Sequence, residues 1–292
     1  MKKVLFRGSA TALVTPFCED DSVNFAVLSQ LVEYQIKSGT QALVILGTTG
    51  ESPTVSYEER KEIISKVVNQ VNKRIPVIVG TGANSTKIAL NLSKEAEFLG
   101  ADGLLIVTPF YNKTSQAGLV EHYKFIAENV NLPIILYNVP SRTGVNILPQ
   151  TYKKLSEISN IVATKEANGD ISSIIETKSL CGNDLNVYSG NDDQTLPITS
   201  VGGIGVVSVF SNIMPKESQM IASGENSREL LMKYYDLMDA LFCDVNPIPV
   251  KHALNFLGVN CGNCRLPLWE LSNDNKKKLE DILIKHEVKI SL

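Results

Sequence analysis

One lysine in this sequence lies where carbonyl chemistry is possible. Residues 161–164 are β-branched or small, which predicts a short buried strand, and Lys165 follows at its end. An ammonium group in such a place loses water, and desolvation favours the neutral amine, which is a nucleophile. We therefore predict that Lys165 forms a Schiff base with a carbonyl substrate. The alternative is a lysine that pairs with an acid such as Glu51 or extends to the solvent.

The ends of other predicted strands carry groups that suit the same chemistry. Tyr137 ends the strand before Lys165, so its phenol is expected near the amine, where it can transfer protons. Residues 47–50 (Gly-Thr-Thr-Gly) form a tight turn whose backbone N–H groups can bind a carboxylate, and Arg142 can bind a second one. Each feature has a plainer alternative: a tyrosine with its hydroxyl in water, a simple β-to-α turn, and a solvated arginine.

Eight strands that alternate with helices are predicted to position these residues. The strands are mostly continuous apolar runs, at residues 8–15, 42–46, 76–79, 103–107, 133–137, 161–165, 186–189 and 204–209. This pattern predicts a parallel sheet covered on both faces, and eight strands close a (β/α)8 TIM barrel of the α/β class. The active site then lies at the carboxyl ends of the strands. A doubly wound open sheet is the alternative, which is disfavoured because no G-x-G-x-x-G follows the first strand.

The chain is expected to divide into two regions. Residues 1–224 form the catalytic barrel, and residues 225–292 form a C-terminal helical extension packed on it. Helices are predicted near residues 227–243, 247–257 and 273–285 of this extension. Asn246 is predicted to cap the second of these helices, with Pro247 as its first residue.

Composition and charge indicate which partners and which cellular compartment to expect. The net charge is −3 at pH 7 and the basic residues are scattered, which argues against nucleic acid or an anionic membrane as a partner. No signal peptide and no run long enough to span a bilayer are found, so a cytoplasmic location is expected.

Cysteine and histidine usage predicts neither disulfides nor a metal site. The five cysteines are dispersed, so free thiols are expected, and the three histidines lie far apart. Cys261 and Cys264 form a lone C-x-x-C without a second ligand pair, which leaves a zinc or redox role as a minor alternative.

A phosphorylated substrate is not expected. Many barrels bind phosphate after the seventh and eighth strands. Here Asp192 and Asp193 follow the seventh predicted strand and would repel it, while Gly202 and Gly203 precede the eighth strand and lie at the wrong end.

Several motifs together resemble the dihydrodipicolinate synthase family of pyruvate-dependent class I aldolases. The resemblance covers nearly the whole chain in order. The motifs are Gly47-Thr-Thr-Gly-Glu-Ser52, Gly80-Thr-Gly-Ala-Asn84, Thr108-Pro-Phe-Tyr-Asn112, Tyr137-Asn-Val-Pro-Ser-Arg-Thr-Gly144, Lys165-Glu-Ala167, Gly205-Val-Val-Ser208 and Asn246-Pro-Ile-Pro-Val-Lys251.

The resemblance implies a role for each residue of the site. Lys165 forms an imine with pyruvate, without any other cofactor. The implied proton relay consists of Tyr137, Thr48 and Tyr111, and the implied substrate-binding residues are Thr49, Arg142, Gly190 and Val207. Thr49 holds the pyruvate carboxylate together with Thr48, and Arg142 receives the carboxylate of L-aspartate-β-semialdehyde. Tyr111 reaches in from a neighbouring subunit, since members are commonly homotetramers built as a dimer of dimers.

Two departures from the family pattern stand out. The seventh loop has Asn191 where aspartate is usual, which is tolerable if the backbone makes the contacts. The positions of the family's lysine feedback site hold Tyr57, Arg60, Ile88 and Phe110, and Ile88 offers no carboxylate to an amino group. We therefore expect an enzyme that is insensitive to lysine.

Two competing interpretations remain at this point. A sister pyruvate aldolase, such as N-acetylneuraminate lyase or a 2-keto-3-deoxy sugar acid aldolase, would share Lys165, Tyr137 and the turn at 47–50. Arg142 and Tyr111 favour the synthase over such an aldolase. A catalytically silent barrel that binds pyruvate is the second competitor, although neither Lys165 nor Tyr137 is lost.

Overall fold

Short runs of buried apolar residues form eight parallel strands that close into a barrel in chain order, in a computed structural model that describes residues 2–292. The strands are β1 Gly8–Ala12, β2 Ala42–Ile45, β3 Val77–Gly80, β4 Gly103–Val107, β5 Ile134–Asn138, β6 Ile161–Glu166, β7 Asn186–Ser189 and β8 Gly205–Ser208. Strand β1 pairs with β8, with Gly8 opposite Gly205, so the sheet has no free edge. The predicted (β/α)8 fold is confirmed and the open-sheet alternative is wrong.

Helices follow the strands and cover the outside of the barrel. They are α1 Phe25–Lys37, α2 Tyr57–Val71, α3 Thr86–Phe98, α4 Gln116–Ala127, α5 Pro140–Thr143, α6 Pro149–Leu155, α7 Ile171–Cys181, α8 Thr195–Ser200 and α9 Pro215–Ser223. The sequence reasoning missed α5 and α9. Helix α9 is the helix that follows β8, and it packs against β1. Its start at Pro215 and its end before Gly224 were available signals.

The last part of the chain forms three more helices: α10 Ser227–Ala240, α11 Ile248–Phe256 and α12 Asn273–Lys285. Helix α12 packs against both α10 and α11. The predicted cap of α11 is wrong by one residue, because the helix begins at Ile248 and Pro247 precedes it. No helix within residues 2–292 combines the length and apolar character needed to cross a membrane.

The barrel interior is filled from its amino-terminal end. Phe6 precedes β1 and stacks on Tyr188 of β7, with ring centroids 4.2 Å apart. The Tyr188 hydroxyl donates a hydrogen bond to the Phe6 carbonyl at 2.8 Å. Small residues such as Ala10 and Ala163 face the same interior. Phe6 and Tyr188 fill the amino-terminal end of the barrel. A ligand is therefore expected to enter from the carboxyl ends of the strands.

A capping box at the start of α2 gives a test of local stability. The Ser56 hydroxyl accepts from the Glu59 N–H at 3.2 Å, and the Glu59 carboxylate accepts from the Ser56 N–H at 2.8 Å. Ser56→Ala is therefore expected to lower the free energy of unfolding by about 1 kcal/mol. Ser85 precedes α3 in the equivalent position without a side-chain cap bond. Ser85→Ala is the matched control, and equal losses in urea denaturation would contradict the assignment.

Candidate active site

Lys165 and Tyr137 lie side by side inside the barrel. They are paired across β5 and β6, and the Lys165 Nζ lies 4.3 Å from the centroid of the Tyr137 ring. Lys165 is 5% exposed and Tyr137 is 7% exposed. Residues two apart on a strand face the same side, so Lys165 faces the barrel interior as Ala163 does. The structure thus brings together the two residues that the sequence predicted as neighbours.

The ion-paired alternative for Lys165 is wrong. The Glu51 carboxylate instead lies 2.9 Å from the Lys251 Nζ. Lys165 makes no ion pair with any carboxylate in the described part of the chain. Its burial also excludes a side chain that extends to the solvent. The amine is therefore buried without a carboxylate in contact.

The turn at residues 47–50 is packed tightly against the end of β2. The Thr15 hydroxyl donates to the Gly50 carbonyl at 2.7 Å. A Cβ atom on Gly50 would lie 2.9 Å from the Leu46 nitrogen, so only glycine fits there. The Thr49 side chain is buried, and its hydroxyl accepts from Asn246 Nδ2 at 3.0 Å. The turn is thereby held by two residues, Thr15 and Asn246.

One cavity of about 460 Å³ connects several of the predicted site residues. Its lining includes Thr48, Tyr137, Arg142 and Asn246. Arg142 lies in α5, where its guanidinium donates to the Asn246 carbonyl at 3.3 Å and is otherwise exposed. The cavity therefore places a hydroxyl, a phenol and a cation around one space, while Lys165 contacts the Tyr137 ring from the barrel interior.

The ends of β7 and β8 complete the wall beside Lys165. The Gly190 N–H donates to the Glu166 carbonyl at 2.6 Å. A Cβ atom on Gly190 would lie 3.1 Å from Lys165 Cε and 2.8 Å from Ala167 Cβ, so a larger residue would crowd the lysine. Val207 on β8 is fully buried in the barrel interior. Both residues thus shape the space around the amine.

Asp192 occupies the place where many barrels bind phosphate. Its carboxylate accepts from the N–H groups of Val209 and Phe210, both at 3.0 Å, directly after β8. Burial raises the pKa of Asp192, and the positive charge of Lys165 opposes this shift. Because the chain's own carboxylate takes these donors, the prediction that phosphate is excluded has a structural reason.

Tyr111 does not join the other site residues within this chain. It is 91% exposed and its backbone has a φ of 69°, a conformation that is uncommon for a residue other than glycine. The preceding residue, Phe110, lines the cavity instead. The exposed phenol of Tyr111 therefore lies outside the cavity of its own chain and is available to another chain.

Sequence reasoning missed a buried cluster on the outer side of the same strand ends. Asn138 Nδ2 lies 3.2 and 3.3 Å from the two Glu166 carboxylate oxygens, and the Tyr152 hydroxyl donates to one of them. Asn138 also donates to Asn146 Oδ1 at 2.8 Å. The alternation along β6, with Lys165 inward and Glu166 outward, was the available signal. The cluster fixes the ends of β5 and β6 relative to each other.

Of the remaining predicted residues, Arg60 also lines the cavity, whereas Tyr57, Ile88, Cys261 and Cys264 are not among its lining residues. Tyr57 and Ile88 are about half exposed, at 48% and 52%, and Arg60 is buried with its guanidinium donating to the Gly80 carbonyl at 2.7 Å. Cys261 and Cys264 are free, and burial raises the pKa of each thiol to about 12. These thiols are therefore protonated at neutral pH.

Comparison with known proteins agrees with the geometry. A family model described as the dihydrodipicolinate synthetase family matches residues 5–286. The 4-hydroxy-tetrahydrodipicolinate synthase of Clostridium perfringens is 52% identical over 285 residues, covering 96% of this chain and 98% of that protein. The same enzyme of Caldicellulosiruptor saccharolyticus is 50% identical, covering 98% and 99%. The crystal structure of dihydrodipicolinate synthase from Thermotoga maritima superposes with a TM-score of 0.95 at 46% identity, covering 97% of this chain and 99% of that one.

The buried Glu166 gives a prediction for the pH dependence of stability. Burial raises its pKa from 4.5 to about 7. The folded chain therefore binds this proton more tightly than the unfolded chain. The stabilisation is complete below pH 4.5 and is lost as the pH rises to about 7. Relative to Glu166→Gln, the wild-type free energy of unfolding should fall across this window and level off above it.

Urea denaturation at a series of pH values checks this difference. His122 titrates in an overlapping window, because burial lowers its pKa from 6.5 to about 4, and it contributes the opposite slope. That contribution is present in both proteins and cancels in the comparison. A difference between wild type and Glu166→Gln that is constant with pH would contradict the shifted titration of Glu166.

Proposed function

The chain belongs to the dihydrodipicolinate synthetase family, and we propose that its barrel condenses pyruvate with L-aspartate-β-semialdehyde to give 4-hydroxy-tetrahydrodipicolinate. This reaction is a lyase activity in the biosynthesis of diaminopimelate and lysine. The observation that carries the mechanism is the buried Lys165 amine, which contacts the Tyr137 ring and no carboxylate. Such an amine suits attack on a ketone.

The first half of the reaction forms an imine on Lys165. The neutral amine adds to the ketone carbon of pyruvate and gives a carbinolamine, which loses water to give the imine. This sequence needs proton transfer to and from the departing hydroxyl. Tyr137 supplies the proton, with the Thr48 hydroxyl and a Tyr111 phenol as the other members of the relay. No metal or organic cofactor is proposed, since the protonated imine itself withdraws electrons.

The second half forms the carbon–carbon bond and releases the product. Loss of a methyl proton converts the imine to an enamine, whose terminal carbon attacks the aldehyde carbon. The aldehyde oxygen takes up a proton and becomes the hydroxyl of the product. The substrate amine then attacks the imine carbon, displaces the Lys165 amine and closes the ring. The enzyme is thereby regenerated with its lysine free.

Two sites for carboxylates orient the substrates in this proposal. The turn that carries Thr48 and Thr49 binds the pyruvate carboxylate, and the backbone at Gly190 and Val207 borders the bound imine. Arg142 binds the carboxylate of the semialdehyde, since its guanidinium is exposed at the same cavity. The support for this assignment is that Thr48, Tyr137 and Arg142 line one cavity.

We also propose that the active assembly is a homotetramer, arranged as a dimer of dimers. Tyr111 is 91% exposed on its own chain, yet the relay needs its phenol near Tyr137. A two-fold contact would let each subunit supply Tyr111 to its partner's cavity, because such a contact is reciprocal.

The central test follows turnover and the covalent intermediate together. With pyruvate and L-aspartate-β-semialdehyde, product is measured through coupled dihydrodipicolinate reductase, and borohydride traps the pyruvate imine for mass spectrometry. We expect turnover and trapping in the wild type, and loss of both in Lys165→Ala. Lys73→Met, which removes an exposed lysine paired with Asp102, should keep both turnover and trapping at Lys165.

The outcomes of this test separate the competing functions. Trapping without turnover of the semialdehyde would keep the imine mechanism and move the substrate to that of a sister aldolase. Absence of trapping in the folded wild type would refute the role of Lys165 itself.

A mixed-subunit experiment tests the contribution of Tyr111 across the interface. Lys165→Ala and Tyr111→Phe are each expected to lose most activity, roughly 100-fold or more for the phenol. In a mixed dimer, the Tyr111→Phe subunit keeps Lys165 and receives an intact Tyr111 from its partner. Co-expression at equal levels should therefore restore about a quarter of the wild-type sites. If Tyr111 serves its own subunit, the mixture will be no more active than the separate variants.

A further inference from the structure

A buried ion pair joins α11 to the turn after β2, and the mechanism above does not use it. Lys251 is 2% exposed, and its Nζ lies 2.9 Å from Glu51 Oε1. The same ammonium group donates to the carbonyls of Thr15 at 3.1 Å and Asn263 at 2.8 Å, so each of its three N–H groups has an acceptor. The other Glu51 oxygen accepts from the Arg265 N–H at 2.9 Å.

Glu51 directly follows the turn that binds the pyruvate carboxylate in the proposed function. Its N–H donates to the Thr48 carbonyl at 3.1 Å, which closes the turn. Its backbone is left-handed, with a φ of 53°, a conformation that a glutamate adopts only when its surroundings hold it there. The contacts that hold the Glu51 side chain come from Lys251 and Arg265, both in the C-terminal part of the chain.

The same part of the chain contacts the turn a second time. Asn246 precedes α11, and its Nδ2 donates to the Thr49 hydroxyl at 3.0 Å. Thr49 and Glu51 are therefore both held by residues 246–265, while the Thr15 hydroxyl holds Gly50. The turn lies between the barrel and the C-terminal helices, and each side determines part of its position.

Stability alone does not explain why this contact is ionic. Burial of two charges costs desolvation energy, and a well-packed apolar pair of similar volume is often as stable. A carboxylate held by an ammonium group and a backbone N–H has a defined direction as well as a distance, which an apolar contact lacks. The pair therefore supplies precise placement of Glu51 and of the turn that precedes it.

We propose that Lys251 and Glu51 are positioning residues for the pyruvate site, and that the C-terminal helices are thereby part of that site. The proposal rests on the proposed function, in which Thr48 and Thr49 bind the pyruvate carboxylate. Glu51 lines the cavity, but both of its carboxylate oxygens accept hydrogen bonds from the chain itself, so the pair is not expected to bind substrate directly. Their effect should therefore fall on pyruvate binding and not on the semialdehyde, which Arg142 binds.

The most direct test shortens the carboxylate arm and keeps both charges. Glu51→Asp draws the turn toward Lys251 by about one carbon–carbon bond, and displacement by about 1 Å can cost up to a hundredfold in catalysis. We expect the KM for pyruvate to rise roughly tenfold or more, with little change in the KM for the semialdehyde. Borohydride trapping at increasing pyruvate concentration measures the same change without the second substrate.

A double variant keeps the test decisive if single variants are unstable. Lys251→Met alone leaves a buried unpaired carboxylate, and its Tm should fall. Glu51→Leu combined with Lys251→Met removes both charges and keeps the volume, so its Tm should recover. Under the proposal its KM for pyruvate stays raised. Recovery of both Tm and this KM would show that the pair only stabilises the fold and would overturn the proposal.

Two further variants separate this inference from the proposed function. Glu270 forms an exposed ion pair with Lys276, 2.7 Å long, in the same C-terminal part of the chain. Glu270→Gln breaks this pair and should change neither the KM for pyruvate nor the KM for the semialdehyde. Thr49→Val should raise the KM for pyruvate. If Thr49→Val does so and Glu51→Asp does not, the positioning role is refuted and the turn keeps its function. If neither raises it while trapping persists, the assignment of the turn itself is wrong.

Discussion

The structure depends on keeping one buried amine without a charged partner. The chain buries two lysines almost completely and treats them in opposite ways. Lys251 is surrounded by a carboxylate and two carbonyls, so each of its three N–H groups already has an acceptor. Lys165 has the face of the Tyr137 ring at 4.3 Å instead. No carboxylate contacts the amine of Lys165, which leaves it available to a ketone in the proposed function.

The backbone around Lys165 is fixed by groups that do not face the substrate. The Glu166 carboxylate ties β6 to Asn138 on β5, and the Glu166 carbonyl accepts from Gly190 on β7. Three neighbouring strand ends are therefore held from the outer face, while their inward side chains remain free for chemistry. Catalysis requires reactive groups that are held in place by a rigid element and by the hydrogen bonds around it.

Local patterns in the sequence predicted much of this arrangement, whereas distant pairings could not be predicted. The buried strands and the adjacency of Tyr137 and Lys165 follow from periodicity and from the order of strands in a barrel. The partner of Glu51 did not follow, because Lys251 is 200 residues away and any buried cation would have satisfied the pattern. Such features depend on how distant segments pack, which no local pattern contains.

In the proposed function, carboxylates bind at the barrel mouth and phosphate does not, and the groups around the mouth give a reason for this difference. The N–H groups after β8, which bind phosphate in many barrels, are occupied by Asp192. The open anion site lies instead after β2, which is opposite β6 in a closed barrel of eight strands in chain order. A substrate bound to Lys165 on β6 and to the turn after β2 must lie across the mouth. Its carboxylate then faces backbone N–H groups on one side, and its ketone faces the amine on the other. A 2-keto acid carries these two groups on adjacent carbons, so in the proposed function the Lys165 side chain and the turn must both reach the same small region of the mouth.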